Sequence, residues 1–201
     1  MASEQSGSEE RKDHLAGNDE KSISRSSALE NFSFLKEVIR FDEETNEISA
    51  ANTDWLILRG ELLRELFDGF RRFLGREGAN IAIKAAGKNS GRRFVDVLSQ
   101  REIKLDEADM ILSVLLNQGG WGKVEMDIKR ATKTANFSIT NCVTARKIKS
   151  TEPSCYFLAG YFEGFCEKLF KVELECIETA CEASGDLACE FQVKPKNASN
   201  S

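Results

Sequence analysis

Four residues in the last third of the chain, Cys155, Glu178, Cys181 and Cys189, are of types that ligate metals, and their order lets them meet. If residues 172–176 and 187–193 pair as a hairpin, Glu178, Cys181 and Cys189 surround its turn, and Cys155 opens the helix that feeds it. Three thiolates and a carboxylate suit tetrahedral zinc, because sulfur is a soft ligand and a closed four-ligand shell is the structural form of such sites. A thiolate at a helix N-terminus is also favoured by the helix dipole. Spacing alone leaves a second reading open, since free cysteine packs as a small hydrophobe. The interval between Cys181 and Cys189 matches no zinc-finger spacing such as Cys-x2-Cys.

The other residues with chemical potential offer less. The only histidine, His14, lies in a polar N-terminal stretch, which excludes a histidine ligand or base from the body of the chain. Cys142, Cys166 and Cys176 match no ligand position, and without a neighbouring base they are poor nucleophiles. Glu173, Glu175 and Glu182 read as solubilising charge beside the hairpin. Lys88, Arg92, Arg93 and Arg101 at helical spacing, and the basic run 145–149, read as solvated surface. Trp121 sits among glycines and could plug a core or line a pocket, with its indole N–H as a polar handle.

These residues need elements to hold them. Residues 38–41 and 47–48 read as short strands around the polar turn 42–46, with a further strand at 55–59. Leu62, Leu63, Leu66, Phe67, Phe70, Phe73 and Leu74 recur at helical spacing up to Gly75, the expected stop. A second helix is expected over about 79–98, with Gly87 and Gly91 permitting close packing while weakening an unbroken helix. A third is expected from Asp106 as N-cap to Gly119 and Gly120. Val124, Met126 and Ile128, then Ala135, Phe137 and Ile139, alternate as two antiparallel strands. Residues 151–153 read as the start of a helix carrying Phe157, Leu158, Tyr161, Phe162, Phe165 and Leu169 on a wide apolar stripe. Two more strands close the hairpin. The expected class is therefore α+β, an antiparallel sheet with helices packed on it and a C-terminal metal-binding hairpin.

Composition narrows the setting. A chain of 201 residues suits one domain, placed at 32–193 between a disordered tail, 1–31, and a polar tail, 194–201. The net charge of -5 and sequence pI near 5.2 argue against direct nucleic-acid binding. No apolar window is long enough for a membrane span or an export signal, so a cytoplasmic, non-membrane protein with reduced cysteines is expected.

Glu178, Thr179 and Cys181, then Gly185, Asp186, Cys189 and Phe191, resemble the closing signature of the 4-vinyl reductase domain family. Residues 160–164 (Gly-Tyr-Phe-Glu-Gly) and 119–122 (Gly-Gly-Trp-Gly) are similar in kind and order, so the resemblance spans about 55–193. It implies a fold shared with small trafficking-tether (TRAPP) subunits and used for ligand sensing in phenol- and xylene-responsive activators. It also implies structural zinc on Cys155, Glu178, Cys181 and Cys189, and a pocket for a small hydrophobic ligand, for which Trp121, Phe137 and Phe94 are candidates. The aromatic sensors hold a phenolic hydroxyl with a histidine and a tryptophan, and no histidine is available here. The leading expectation is a stand-alone sensor or regulatory adaptor, a homodimer acting through an output protein. An accessory or enzymatic role in tetrapyrrole vinyl reduction and a dimeric TRAPP-like scaffold remain alternatives. No catalytic constellation or dinucleotide-binding glycine loop supports an enzyme.

Overall fold

The computed structural model describes residues 39–50, 53–105 and 107–196. The tail 1–31, the domain start at Phe32, the Asp106 cap and the end of the polar tail lie outside them. Three short strands, β1 (Ile39–Phe41), β2 (Ile48–Ala50) and β3 (Thr53–Trp55), form an antiparallel meander. Asp42 shapes its first turn by accepting the Glu44 and Thr45 N–H groups at 2.8 and 3.1 Å. The strand expected at 55–59 ends at Trp55, and Leu56, Ile57 and Leu58 follow as exposed, non-regular chain.

Helix α1 (Gly60–Gln100) joins the first two expected helices, and Gly75, at φ 71°, bends it where the sequence placed a stop. Of the stripe expected to be buried before that bend, Phe67 is buried and Leu63 packs beside it. Leu62, Leu66, Phe70, Phe73 and Leu74 are exposed, Phe73 by 90%. Helix α2 (Ala108–Gln118) is closed by Gly119, and Asn117 clips it to the next strand through both hydrogen bonds of an amide pair with Val124, 2.8 and 3.1 Å.

Strands β4 (Lys123–Lys129), β5 (Thr134–Thr140), β6 (Leu174–Ala180) and β7 (Cys189–Pro195) form one antiparallel sheet in the order β4-β5-β7-β6. Alternation turns Ala135, Phe137 and Ile139 of β5, Cys189, Phe191 and Val193 of β7, and Leu174 and Cys176 of β6 into the core. Helix α3 (Tyr156–Phe170) covers that face, with Phe162 stacked on Phe137 at 3.9 Å between ring centroids and edge-on to Phe191 at 5.2 Å. The helix begins after Pro153 rather than at it: residues 151–153 are a bend, and Cys155 is the N-cap.

Helices α1 and α3 cross backbone to backbone, through Gly87 and Gly91 on one and Gly160 and Gly164 on the other. A β-carbon on any of the four would stand about 2 Å from a carbonyl oxygen of the opposite helix. Neither Gly87 nor Gly91 interrupts α1. Around this crossing Lys84, Lys88 and Arg92 of α1 meet Glu163 and Glu167 of α3. Lys88 Nζ bridges both carboxylates at 2.7 and 2.8 Å, Lys84 reaches Glu163 at 3.0 Å, and Arg92 reaches Glu167 at 2.6 Å. Lys88 and Arg92 are thus paired, not the freely solvated charges expected from their spacing. Burial opposes ionisation of both glutamates, but hydrogen bonds from Lys88, with Lys84 on Glu163 and Arg92 on Glu167, outweigh it and hold them below the usual range.

Gly164→Ala should therefore lower unfolding stability by more than about 3 kcal/mol, because its β-carbon meets backbone that no rotamer change can move. Gly69→Ala, on the same α1 with open space around it, should add about 0.5–1 kcal/mol. Urea titration of both variants checks the pair.

Candidate metal centre and adjoining cavity

The sheet's pleat brings Glu178 to the metal cluster. It is third in the inward series Leu174, Cys176, Glu178 on β6, so a carboxylate stands where a core side chain belongs. A register shift between Glu178 and Ala180 ends the regular pairing, and Cys181 follows it with its side chain fully buried. Asp186 then accepts the Cys181 N–H at 2.8 Å, and Gly185, at φ 101°, turns the chain back toward Cys189 at the head of β7. Cys155 enters from α3.

The three sulfurs form a near-equilateral triangle. Cys155 Sγ lies 3.9 Å from Cys181 Sγ and 3.7 Å from Cys189 Sγ, and Cys181 and Cys189 are 3.9 Å apart. Together with a Glu178 oxygen, the four ligand atoms lie within 4.8 Å of one another. A tetrahedral site with Zn–S bonds of about 2.3 Å has S···S edges of about 3.8 Å. Glu178 Oε2 accepts the Cys155 N–H at 2.8 Å, whereas Oε1 is buried with no hydrogen-bond partner. That orphaned oxygen and the sulfur triangle fit a divalent soft-to-borderline cation, with zinc the natural match to the donor set. Burial, reinforced by Cys181, pushes the Glu178 carboxyl up to about 8. Hydrogen bonds from Cys155 and Cys189 hold the Cys181 thiol below its ordinary value, while the surrounding thiols push Cys155 up. A dry site cannot ionise all its donors unless a cation compensates them.

Two participants escaped the sequence reading. Cys142, matched there to no ligand position, lies 3.9 Å from Cys155 Sγ, and the Thr144 hydroxyl contacts both sulfurs at 3.1 Å. Its signal was the pair of residues that ends β5 beside β7. Glu182, read as solubilising charge, accepts the Asn141 and Cys142 N–H groups at 2.5 and 2.8 Å and so ties the end of β5 to the hairpin turn. Cys166 and Cys176 are buried in helix and strand interiors, where burial raises both thiols.

A cavity of ≈ 590 Å³ opens on the other side of the start of α3. Trp121 and Phe94 line it; Phe137 does not, since it is 1% exposed under Phe162 in the core. Trp121 both packs and lines: its indole stacks on Phe157 at 5.7 Å, and the Trp121 carbonyl accepts the Val143 N–H at 2.9 Å. The glycines around it set its place. Gly120 and Gly122 adopt φ 80° and 138°, and a β-carbon on Gly122 would strike Ile139 and the Thr140 carbonyl. Arg146, expected at the surface, is half-buried and lines the same cavity. No described helix is long and apolar enough to cross a membrane.

Residues 135–195 match the model of the 4-vinyl reductase domain family. Over 173 residues the chain is 24% identical to the phenol regulator MopR of Acinetobacter guillouiae, covering 80% of this chain and 31% of that protein. A 74-residue stretch is 30% identical to the uncharacterized protein MJ1642 of Methanocaldococcus jannaschii, covering 36% of this chain and 44% of that one. The chain thus spans under half the length of these curated relatives. Among solved structures, the phenol-responsive sensory domain of the transcription activator PoxR superposes with a TM-score of 0.70 at 20% identity, over 85% of this chain and 90% of that one. A trafficking protein particle complex subunit 3 from Naegleria fowleri, covalently bound to palmitic acid, gives 0.52 at 16% identity over 69% and 95%. Both likenesses are of fold.

Glu182→Ala should leave two backbone N–H groups without their acceptor and cost about 1–3 kcal/mol in a urea titration. Glu173→Ala, at an exposed position on β6's approach, should cost less than about 0.5 kcal/mol.

Proposed function

Starting from a chain that carries a 4-vinyl reductase domain, we propose that it is a zinc-stabilised sensor or regulatory adaptor that binds a small hydrophobic ligand in the cavity beside Trp121. One observation carries this reading: the first two turns of α3 serve both sites. Its N-cap, Cys155, belongs to the metal cluster, while Phe157, Leu158 and Tyr161 line the cavity. A volume of ≈ 590 Å³ lined mainly by apolar and aromatic groups falls in the range of small-molecule pockets. MopR and PoxR, named for phenol responses, give the proposal its class of precedent.

In this reading the zinc would be held by Cys155, Glu178, Cys181 and Cys189 and would supply structure, neutralising the donors and pinning the hairpin to α3. The chain's own residues do the rest. Trp121 and Phe157 form one wall, Phe94 and Tyr161 another, and Gly119 and Gly120 keep the wall between them low. Purified protein should contain about one zinc per chain by elemental analysis, and Cys181→Ser with Cys189→Ser should lose it. Chelation should lower the melting temperature of the parent and not of the variant. Absence of stoichiometric zinc from the parent would remove the metal from the proposal.

The exposed stripe on α1 favours a homodimer as the working form. Leu62, Leu66, Phe70 and Phe73 recur along one face with no cover among the described residues, and large exposed apolar faces mark interfaces. A second copy laid on this face would bury it, and a separate output protein would read the result. Light scattering should return a dimer for the parent and a monomer for Phe70→Asp with Phe73→Asp; a monomeric parent overturns the dimer.

A further inference from the structure

The cavity beside Trp121 is apolar in most of its wall and cationic in the remainder. Its lining includes two arginines, Arg59 and Arg146, and no aspartate or glutamate, in a chain whose net charge is -5. The larger cleft of ≈ 670 Å³ on the opposite side of α1 is different, because Glu61, Glu65 and Asp68 there offset Arg64, Arg71 and Arg76. Neither Arg59 nor Arg146 has a salt bridge or side-chain hydrogen bond among the described residues. The two arginines flank one place. Arg59 is the N-cap of α1, and the Arg146 guanidinium lies close enough to Gly60, the first residue of that helix, that a β-carbon there would be 3.6 Å from it.

The remaining polar side chains of the wall sharpen the point. Trp121 offers an indole N–H, and Tyr161 a hydroxyl that burial keeps protonated, its ionisation pushed well above the ordinary range. Arginine and indole nitrogens only donate, and a tyrosine hydroxyl donates as readily as it accepts. No carboxylate, side-chain amide or imidazole stands in this wall to receive a proton from a ligand. A ligand that satisfies it must bring acceptors and negative charge at one end and apolar surface at the other. Arginine meets a carboxylate through a planar, charge-assisted pair of hydrogen bonds, and the apolar surroundings strengthen that pair relative to water.

We propose that the ligand of this cavity is an organic acid, an aromatic or aliphatic body carrying a carboxylate that Arg146 and Arg59 bind. The inference rests on the cavity being a ligand site, as proposed above, and adds the charge of what fills it. Arg146, half-buried, fixes the head group; Arg59, exposed, draws it to the mouth. The body lies along the Trp121–Phe157 stack.

Two probes that differ in one group test it. 1-Anilinonaphthalene-8-sulfonate and N-phenyl-1-naphthylamine share an aromatic skeleton, and only the first carries an anion, a sulfonate standing in for the carboxylate. Fluorescence titration of the full chain should give a dissociation constant about tenfold or more tighter for the anionic probe. Arg146→Gln with Arg59→Gln, checked for an unchanged melting curve, should remove that preference and leave the neutral probe within about twofold. Leu115→Trp, which fills the cavity from α2, should remove binding of both. Equal affinity for the two probes, or a preference that survives the double arginine variant, overturns the organic acid and leaves the cavity as a site for a neutral ligand. Anionic binding that survives Leu115→Trp places the probe elsewhere and overturns it as well. If neither probe binds the parent, the ligand-cavity reading falls and takes this inference with it.

Discussion

The crossing of α1 and α3 through four glycines is the constraint on which the rest of the molecule hangs. With backbones this close, Lys84, Lys88 and Arg92 of one helix reach Glu163 and Glu167 of the other at ion-pair distance, and both glutamates are nearly buried. Buried pairs of this kind do not by themselves guarantee stability, since desolvation offsets most of the Coulombic gain. Their structural value here is what the carboxylates do next. Glu167 accepts the Leu174 N–H at 3.1 Å, Glu163 the Cys176 N–H at 3.1 Å, and Lys84 donates to the Cys176 carbonyl at 2.9 Å. Strand β6 is the edge of its sheet, and these bonds satisfy backbone groups that an edge would leave open.

That edge strand carries Glu178, so the helix crossing and the metal cluster are successive consequences of one packing decision. Fixing Leu174 and Cys176 fixes the pleat, and the pleat turns Glu178 inward. The same crossing sets the axis of α3, whose N-cap is Cys155 and whose next turns present Phe157 and Tyr161 to the cavity. A shift of α3 by the size of a methyl group would therefore move a metal donor and a cavity wall together. Packed interiors respond to such shifts as units rather than by local give.

The sheet was legible from period-two alternation: β4, β5, β6 and β7 lie where Val124 to Ile128, Ala135 to Ile139, Leu174 with Cys176, and Phe191 with Val193 placed them. Gly75 as a break in α1 was legible for the same reason, a glycine at the end of a periodic run. The sequence also nominated all four donors that the fold brings within one site. What it concealed depends on separations of seventy residues or more. Glycines that weaken a helix in isolation are neutral evidence until the opposing glycines are known to face them, and only that facing turns Lys88 and Arg92 from surface charge into partners of Glu163 and Glu167. Glu182 misled through composition: a glutamate in a turn is usually solvated, and its two backbone partners belong to the other end of β5. Phe137 misled because an inward aromatic on a central strand looks the same whether it faces a pocket or another ring. Phe162 occupies the place a ligand would take.

The bend at Gly75 divides α1 into halves with different duties. Beyond it the helix is locked to α3 by glycine contact and ion pairs; before it, Leu63 and Phe67 hold the helix through a small cluster with Tyr156 and Phe157. That first half begins at Gly60 on the cavity rim and carries the exposed Leu62, Leu66, Phe70 and Phe73. Few buried contacts anchor it, so its free energy of displacement is low compared with that of the crossing. A ligand seated between Arg146 and Phe157 would touch this half and the rigid half of the molecule at once. It would bias the angle at Gly75 only by as much as it binds one setting better than the other. An apolar face on the movable half is the surface whose presentation that bias would change, which is the arrangement a binding domain needs in order to report occupancy to a second chain.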